Sequence, residues 1–384
     1  MDRRRFLKAT GVAGIAGLAG CSGGPTSEGD GTTAESTETS GDGASTEAES
    51  GTGEESTDGS SGETINVGMV YATGGLGDGS FNDQAQQGIQ QASEEFNVQY
   101  EEAQPDSVSQ FQNFQQQFAS STNPEYDLVS CIGYLQADAL SQTASDYPDQ
   151  RFMIVDSAVD ADNVSSYVFQ EHQGSFLAGV MAGRLTTTEF SAGAGSTKPD
   201  EKVVGFVGGE ESDLIGKFEA GYTAGVKYVD DSIEVQSTYV GSFNEPTAGS
   251  EAAIAMYNSG ADIIFHASGN TGTGVFQAAQ ENGNFAIGVD RAQSVTKPSY
   301  ADVILGSMVK RVDTAVYTSV EAVANDSFDG GAVTTLGLEQ DGVALVYGDS
   351  LESEIPSAVK DAVTSAREEV IGGSVSVPTD PSNV

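Results

Sequence analysis

Carboxylates, a lysine and aromatic rings are the groups in this chain that could do chemistry, and nearly all of them follow short apolar runs. Asp78, Phe81 and Asn82 follow Ile65–Tyr71; Tyr134 follows Leu128–Gly133; Asp156 closes Phe152–Asp156; Gly269 follows Ile263–Ala267. Asp290 comes directly after Phe285–Val289, Lys310 shortly after Val303–Ser307, and Phe218 opens a helical pattern. Carboxylates and an ammonium are suited to hydroxyls and polar ring edges, while phenyl rings stack on planar rings. A glycine such as Gly269 lets backbone N–H groups approach a ligand closely. The chemistry on offer is therefore recognition of a polar, ring-containing small molecule.

Covalent chemistry has less support. His172 and His266 are far apart and lack neighbours at metal-ligand spacing, so no metal or other cofactor is expected. In Gly269-Asn270-Thr271-Gly272-Thr273-Gly274 the lysine of a phosphate loop is replaced by Val275, and Gln277 stands where a dinucleotide fold needs glycine. No Gly-x-Ser-x-Gly elbow surrounds a plausible nucleophile. Cys131 lies within an apolar run and reads as a small core residue. A hydrolase acting on a sugar or nucleoside, with Asp78, Asp156 or Asp290 as base, stays open as an alternative.

The elements that must position these groups alternate. The β-rich runs above, together with Tyr167–Phe169, Val203–Val207 and Glu234–Tyr239, are separated by helical periodicity. Those helical patterns cover Asp83–Phe96, Ser107–Phe118, Ala137–Tyr147, Gly174–Leu185, Phe218–Val229, Gly249–Ser259, Gly272–Asn282 and Asp313–Ala324. This rhythm predicts an α/β fold of doubly wound parallel sheets, in which ligands bind beyond the carboxyl ends of the strands. A globular part of a little over about 300 residues exceeds one hydrophobic core, so two lobes are expected.

Upstream, Arg3, Arg4 and Arg5 precede a short apolar run ending Leu18-Ala19-Gly20-Cys21, which resembles a twin-arginine lipoprotein signal over 1–21. Lipid on Cys21 would anchor the chain on the extracytoplasmic face of the cell membrane. Residues 22–63 are Ser, Thr, Gly and acid with hardly an apolar side chain, the composition of a disordered tether. With 57 Asp+Glu against 16 Lys+Arg, the formal net charge of −41 repels phosphate backbones, and nucleic acid is excluded as a partner. The acidic, lysine-poor composition is similar to that of proteins from salt-loving archaea and implies a fold that loosens in fresh water.

One ordered set of motifs is more specific than any single residue. Gly77-Asp78-Gly79-Ser80-Phe81-Asn82, Gly133-Tyr134-Leu135-Gln136-Ala137-Asp138-Ala139-Leu140, Gly174-Ser175-Phe176-Leu177-Ala178-Gly179 and Lys217-Phe218-Glu219-Ala220-Gly221-Tyr222 are followed by His266-Ala267-Ser268-Gly269-Asn270-Thr271-Gly272, Ile287-Gly288-Val289-Asp290 and Ser307-Met308-Val309-Lys310-Arg311-Val312-Asp313. In content and order they resemble the basic membrane protein family, the purine-nucleoside-receptor type of ABC-transporter binding lipoprotein. The resemblance covers roughly 65–378. It implies a type I periplasmic-binding-protein fold, two parallel-sheet lobes joined by a three-strand hinge, monomeric, delivering a nucleoside to a membrane permease. A ligand-sensing receptor subunit is the close alternative. By the same resemblance Phe81 stacks on the base, Asn82 and Asp156 bond its edge, Asp290 and Lys310 hold ribose hydroxyls, and Gly269 opens backbone N–H groups to the sugar. Asp78 and Phe218 shape the loop or touch the ligand. Arg291-Ala292-Gln293 and Asn270 depart from the family pattern. The lobes are expected at about 64–172 with 291–328, and about 173–290 with 329–384.

Overall fold

The computed structural model describes residues 63–384; the signal, Cys21 and the tether lie outside the described residues. The first part of the chain runs β1 (Ile65–Val70), α1 (Phe81–Glu95), β2 (Val98–Ala103), α2 (Phe111–Ala119), β3 (Leu128–Ile132), α3 (Ala137–Asp146), β4 (Phe152–Val155) and β5 (Val164–Phe169). It continues through α4 (Glu171–Thr186), a ribbon of β6 (Ser191–Ala192) and β7 (Gly195–Ser196), β8 (Val203–Gly208), α5 (Asp213–Val229), β9 (Glu234–Tyr239), α6 (Pro246–Asn258), β10 (Ala261–Ala267), α7 (Gly272–Asn282), β11 (Phe285–Asp290), α8 (Gln293–Thr296) and β12 (Ile304–Lys310). The last elements are α9 (Val312–Ala324), β13 (Val333–Leu336), β14 (Val343–Tyr347) and α10 (Ser357–Ile371).

Two six-stranded sheets result, in the orders β13-β5-β4-β3-β1-β2 and β14-β12-β11-β10-β8-β9. All ladders in them are parallel except β12 with β14. The interior strands β3, β4, β8, β10, β11 and β12 are buried at every position. Helices cover both faces, so these strands read as near-continuous apolar runs, interrupted by residues such as Asp262 and His266 in β10 and Ser307 in β12. Edge strands differ: β2 (Val-Gln-Tyr-Glu-Glu-Ala) and β13 (Val-Thr-Thr-Leu) leave most of their residues partly or fully exposed. That is why neither reads as a strand in the sequence.

The chain passes between the sheets three times, from β5 into α4, from β12 into α9, and from β13 into β14. This agrees with a three-strand hinge, but two lobe assignments need correcting. Residues 304–310, expected with the first lobe, pair with β11 in the second sheet, from Ala286↔Ile304 to Asp290↔Val309. Residues 333–336, expected with the second lobe, pair with β5 in the first. At the first two passages the chain leaves a strand paired on one side only, β5 on β4 and β12 on β11, and the second neighbours, β13 and β14, come from later in the chain, which composition does not signal. Helix α10, unassigned in the sequence, packs on α4.

Close helix packing holds the second lobe together. A Cβ at Gly221 would fall 2.1 Å from the carbonyl oxygen of His172, and one at Gly225 2.1 Å from that of Phe176, so α4 and α5 approach along a seam only glycine permits. Helix α4 is buried on nearly all sides, which blurs its amphipathic stripe. Cys131 is a free, buried thiol whose pKa burial pushes far up.

Candidate functional site

A cleft open to solvent lies between the carboxyl ends of the two sheets. Its lining includes Asp78, Phe81, Asn82, Tyr134, Asp156, Phe218, Gly269, Asp290 and Lys310, so every residue singled out for recognition comes to one place. They arrive from seven separate stretches of chain. The parallel topology brings them together, because it points all strand ends of a sheet the same way.

Two aspartates occupy strand ends in an unusual backbone conformation: φ is +69° at Asp156 and +63° at Asp290. Left-handed backbone at a non-glycine residue is uncommon and collects at functional sites, and aspartate tolerates it better than most. Between them lies Lys310, whose side chain is 3% exposed and whose Nζ stands 2.6 Å from Asp156 Oδ2. The same ammonium lies 4.7 Å from the Phe81 ring centre and 5.5 Å from those of Phe169 and Phe218. Burial alone would push the Lys310 pKa down, but Asp156, Asp290 and Glu171 together hold it above its ordinary value. Asp290 is raised by burial, against the pull of Lys310 and of the Ser80 hydroxyl. Asp156 Oδ1 has no hydrogen-bond partner.

The loop after β1 is built by its own side chains. Asp78 accepts backbone N–H bonds from Ser80, Asn82 and Asp83 and so holds the start of α1, and burial pushes its pKa up to about 6 against those bonds. Asn82 Oδ1 accepts from the Ala72 N–H at 2.9 Å while its Nδ2 donates to the Gly75 carbonyl at 3.0 Å. Asp78 and Asn82 therefore brace the loop that presents Phe81. That loop also touches the second lobe: Ser80 Oγ donates to Asp290 Oδ2 at 2.5 Å, and Thr296 Oγ1 donates to the Gly79 carbonyl at 2.8 Å.

Gly269 has φ +55° and opens the turn into α7. His266, on the strand before it, is a scaffold residue. Its Nε2 lies 2.9 Å from Gln293 Oε1, which also accepts the Val289 N–H, so Nε2 carries the proton and Nδ1 accepts from Ser268 Oγ at 3.2 Å. Burial pushes its pKa down to about 3, leaving the ring neutral. Phe218 is 2% exposed, so most of its ring belongs to the core even though it also lines the cavity.

Sequence reasoning missed Phe111, Leu214, Ile215 and Phe243 in the lining. They lie on helices or in the loop after β9, where only distant sheet packing turns them inward. It also missed Glu171, buried behind Lys310 with side-chain exposure of 0%. The rule of reading the residues after each strand, applied to Tyr167–Phe169, points to it. Among the described residues no cluster of His, Cys, Asp and Glu could hold a metal. The arrangement offers stacking faces, hydroxyl acceptors and the buried Lys310 ammonium between two lobes.

Comparison with known proteins is consistent across sequence and structure. A family model described as "ABC transporter substrate-binding protein PnrA-like" matches residues 65–380. The chain is 33% identical over 334 residues to the ABC transporter nucleoside-binding protein BmpA of Lactococcus lactis, covering 82% of this chain and 89% of that protein. It is 33% identical over 294 residues to an uncharacterized lipoprotein of Pyrococcus furiosus, covering 73% of this chain and 70% of that one. Among solved structures, an ABC transporter solute-binding protein from Aeropyrum pernix superposes with a TM-score of 0.72 at 27% identity, over 82% of this chain and 94% of that chain.

Proposed function

The chain belongs to the PnrA-like family of ABC-transporter substrate-binding proteins, and from that premise we propose that it captures a nucleoside, a purine nucleoside in the first instance, between its lobes and delivers it to a membrane permease. The observation that carries this reading is the cleft's composition: Phe81 from the first lobe and Phe218 from the second flank a buried trio of Asp156, Asp290 and Lys310. A flat heterocycle fits between rings, and the charged trio pairs with its polar edge and with sugar hydroxyls. In this reading Asp156 Oδ1, which lacks a partner, and the remaining N–H of Asn82 bond the base edge. Asp290 and Lys310 take the ribose, with the Gly269 turn beside them. Because the ligand touches both lobes, it stabilises the closed form, which a permease can distinguish from the open one.

Asp290→Ala is the direct check. A buried hydroxyl left without its acceptor costs about 1–3 kcal/mol, so nucleoside affinity should fall about tenfold or more. Calorimetry giving equal affinities for both proteins would remove Asp290 from the contact set. Mass spectrometry of the small molecule that co-purifies from native cells should identify the nucleoside.

Membrane attachment belongs to the same reading. Among the described residues no helix is long and apolar enough to cross a membrane. The Leu-Ala-Gly-Cys box at Cys21 and the naming of the Pyrococcus relative as a lipoprotein support lipid anchoring on the extracytoplasmic face. Cys21→Ala should then release the protein into the medium, whereas membrane retention would refute the anchor.

A further inference from the structure

Glu171 is the most deeply placed charge that the proposed ligand contacts leave unexplained. It is the first residue of α4, separated from the end of β5 by Gln170 alone, at the first passage between the lobes. Its side chain is wholly buried, and neither carboxylate oxygen has a hydrogen-bond partner. Two ammonium groups stand near it: Lys217 Nζ at 3.5 Å from Oε2, and Lys310 Nζ at 4.0 Å from Oε1. Lys310 ends β12 at the second passage. The third passage is tied to the same place, since the Gln170 N–H donates to the Leu336 carbonyl and the Leu338 N–H donates to Gln173 Oε1, each at 2.9 Å. All three hinge segments meet around this carboxylate.

A buried carboxylate without hydrogen-bond partners is a poor packing element, because only nearby charge offsets its desolvation. Its environment makes sense as a counter-charge. Asp156 grips Lys310 from the cleft side at 2.6 Å, and Glu171 faces the same ammonium without lining the cleft. We propose that Glu171 is a positioning residue for ligand capture: from the hinge it holds the Lys310 ammonium at the base of the cleft, although the ligand never touches it. This rests on the reading of the cleft as a ligand site.

The charge on Glu171 is conditional. Burial, reinforced by Asp156 and opposed by Lys310 and Lys217, pushes its pKa up to about 7. His172 beside it stays neutral, its pKa lowered to about 4 by burial and then by Lys217. As pH falls through that window Glu171 takes a proton, Lys310 loses its rear counter-charge, and ligand affinity drops. In the cleft itself Asp78 titrates at about 6 and burial also raises Asp290, which faces Lys310, so the wild-type profile contains all three groups, and only a variant separates Glu171 from the others.

Glu171→Gln keeps shape and removes charge. Nucleoside affinity of wild type and variant is measured by calorimetry across about pH 5.5 to 8.5, and the ¹⁵N ammonium resonance of Lys310 is followed in ligand-free protein over the same range. The variant is expected to fold with a melting temperature close to wild type, to bind about tenfold more weakly at the alkaline end, and to lack the step near neutrality. Its Lys310 resonance should stay put where the wild-type signal moves. Equal affinity with the same profile, or a Lys310 resonance that moves alike in both proteins, overturns the proposal. If wild type binds no nucleoside, the ligand assignment fails by itself, and the resonance still decides the positioning role. Should the glutamine variant not fold, Glu171→Asp, which keeps the charge, is read instead. It should retain the step near neutrality with weakened binding, and its absence overturns the proposal.

Discussion

Lys310→Met is expected to lower the melting temperature of the ligand-free protein on the order of 10 °C and to abolish measurable nucleoside binding. The lysine is buried against Asp156 at 2.6 Å, with Asp290 and Glu171 also acting on it. Removing one partner of such a cluster costs about 3–5 kcal/mol, because carboxylates remain buried without their cation. Methionine fills similar volume, so a cavity is not the cause. The deficit should also depend on pH, with a definite sign. Asp290 and Glu171 already have pKa values above the ordinary carboxylate range, and loss of Lys310 raises them further. The folded variant then holds protons that the unfolded chain releases, so its stability relative to wild type recovers as pH falls from about 8 toward 5. Melting curves at both ends of that range check it, and a deficit independent of pH would show that charge is not what Lys310 contributes.

Phe81→Ala should weaken nucleoside binding by about ten- to a hundredfold, since one aromatic face contributes about 1–3 kcal/mol per stacked base. The ring opens α1 and is held in place by the loop that Asp78 and Asn82 brace, so its loss leaves that scaffold standing. Small-angle scattering of wild type should show a more compact particle on adding nucleoside, and the variant should need correspondingly more ligand. No free base should accumulate with either protein. If it does, in proportion to protein, the carboxylates Asp78, Asp156 and Asp290 become catalytic candidates and the capture reading fails.

Much of this was legible in the residues. Interior parallel strands are buried on both faces, so β3, β8 and β11 stand out as largely apolar runs. The rule that ligands sit beyond the carboxyl ends of such strands then selected Asp156, Asp290 and Lys310 before any contact was known. Edge strands β2 and β13 carry no such signal, because most of their residues are partly or fully exposed and their composition is that of a loop.

Charge pairing was decided only by the tertiary structure. Nothing in the spacing of Asp156, Glu171, Asp290 and Lys310 says that all four converge, or that Lys310 is gripped by Asp156 while Asp290 takes the Ser80 hydroxyl across the cleft. The same holds for the passage points between lobes. The sequence by itself determined the class of fold and the strand ends that line the cleft, because local burial and backbone geometry are written into neighbouring residues. Which of those groups share a proton or a cation is a matter of distances between segments far apart in the chain, and Coulomb interaction depends on those distances and on burial, both set only when the two sheets are assembled.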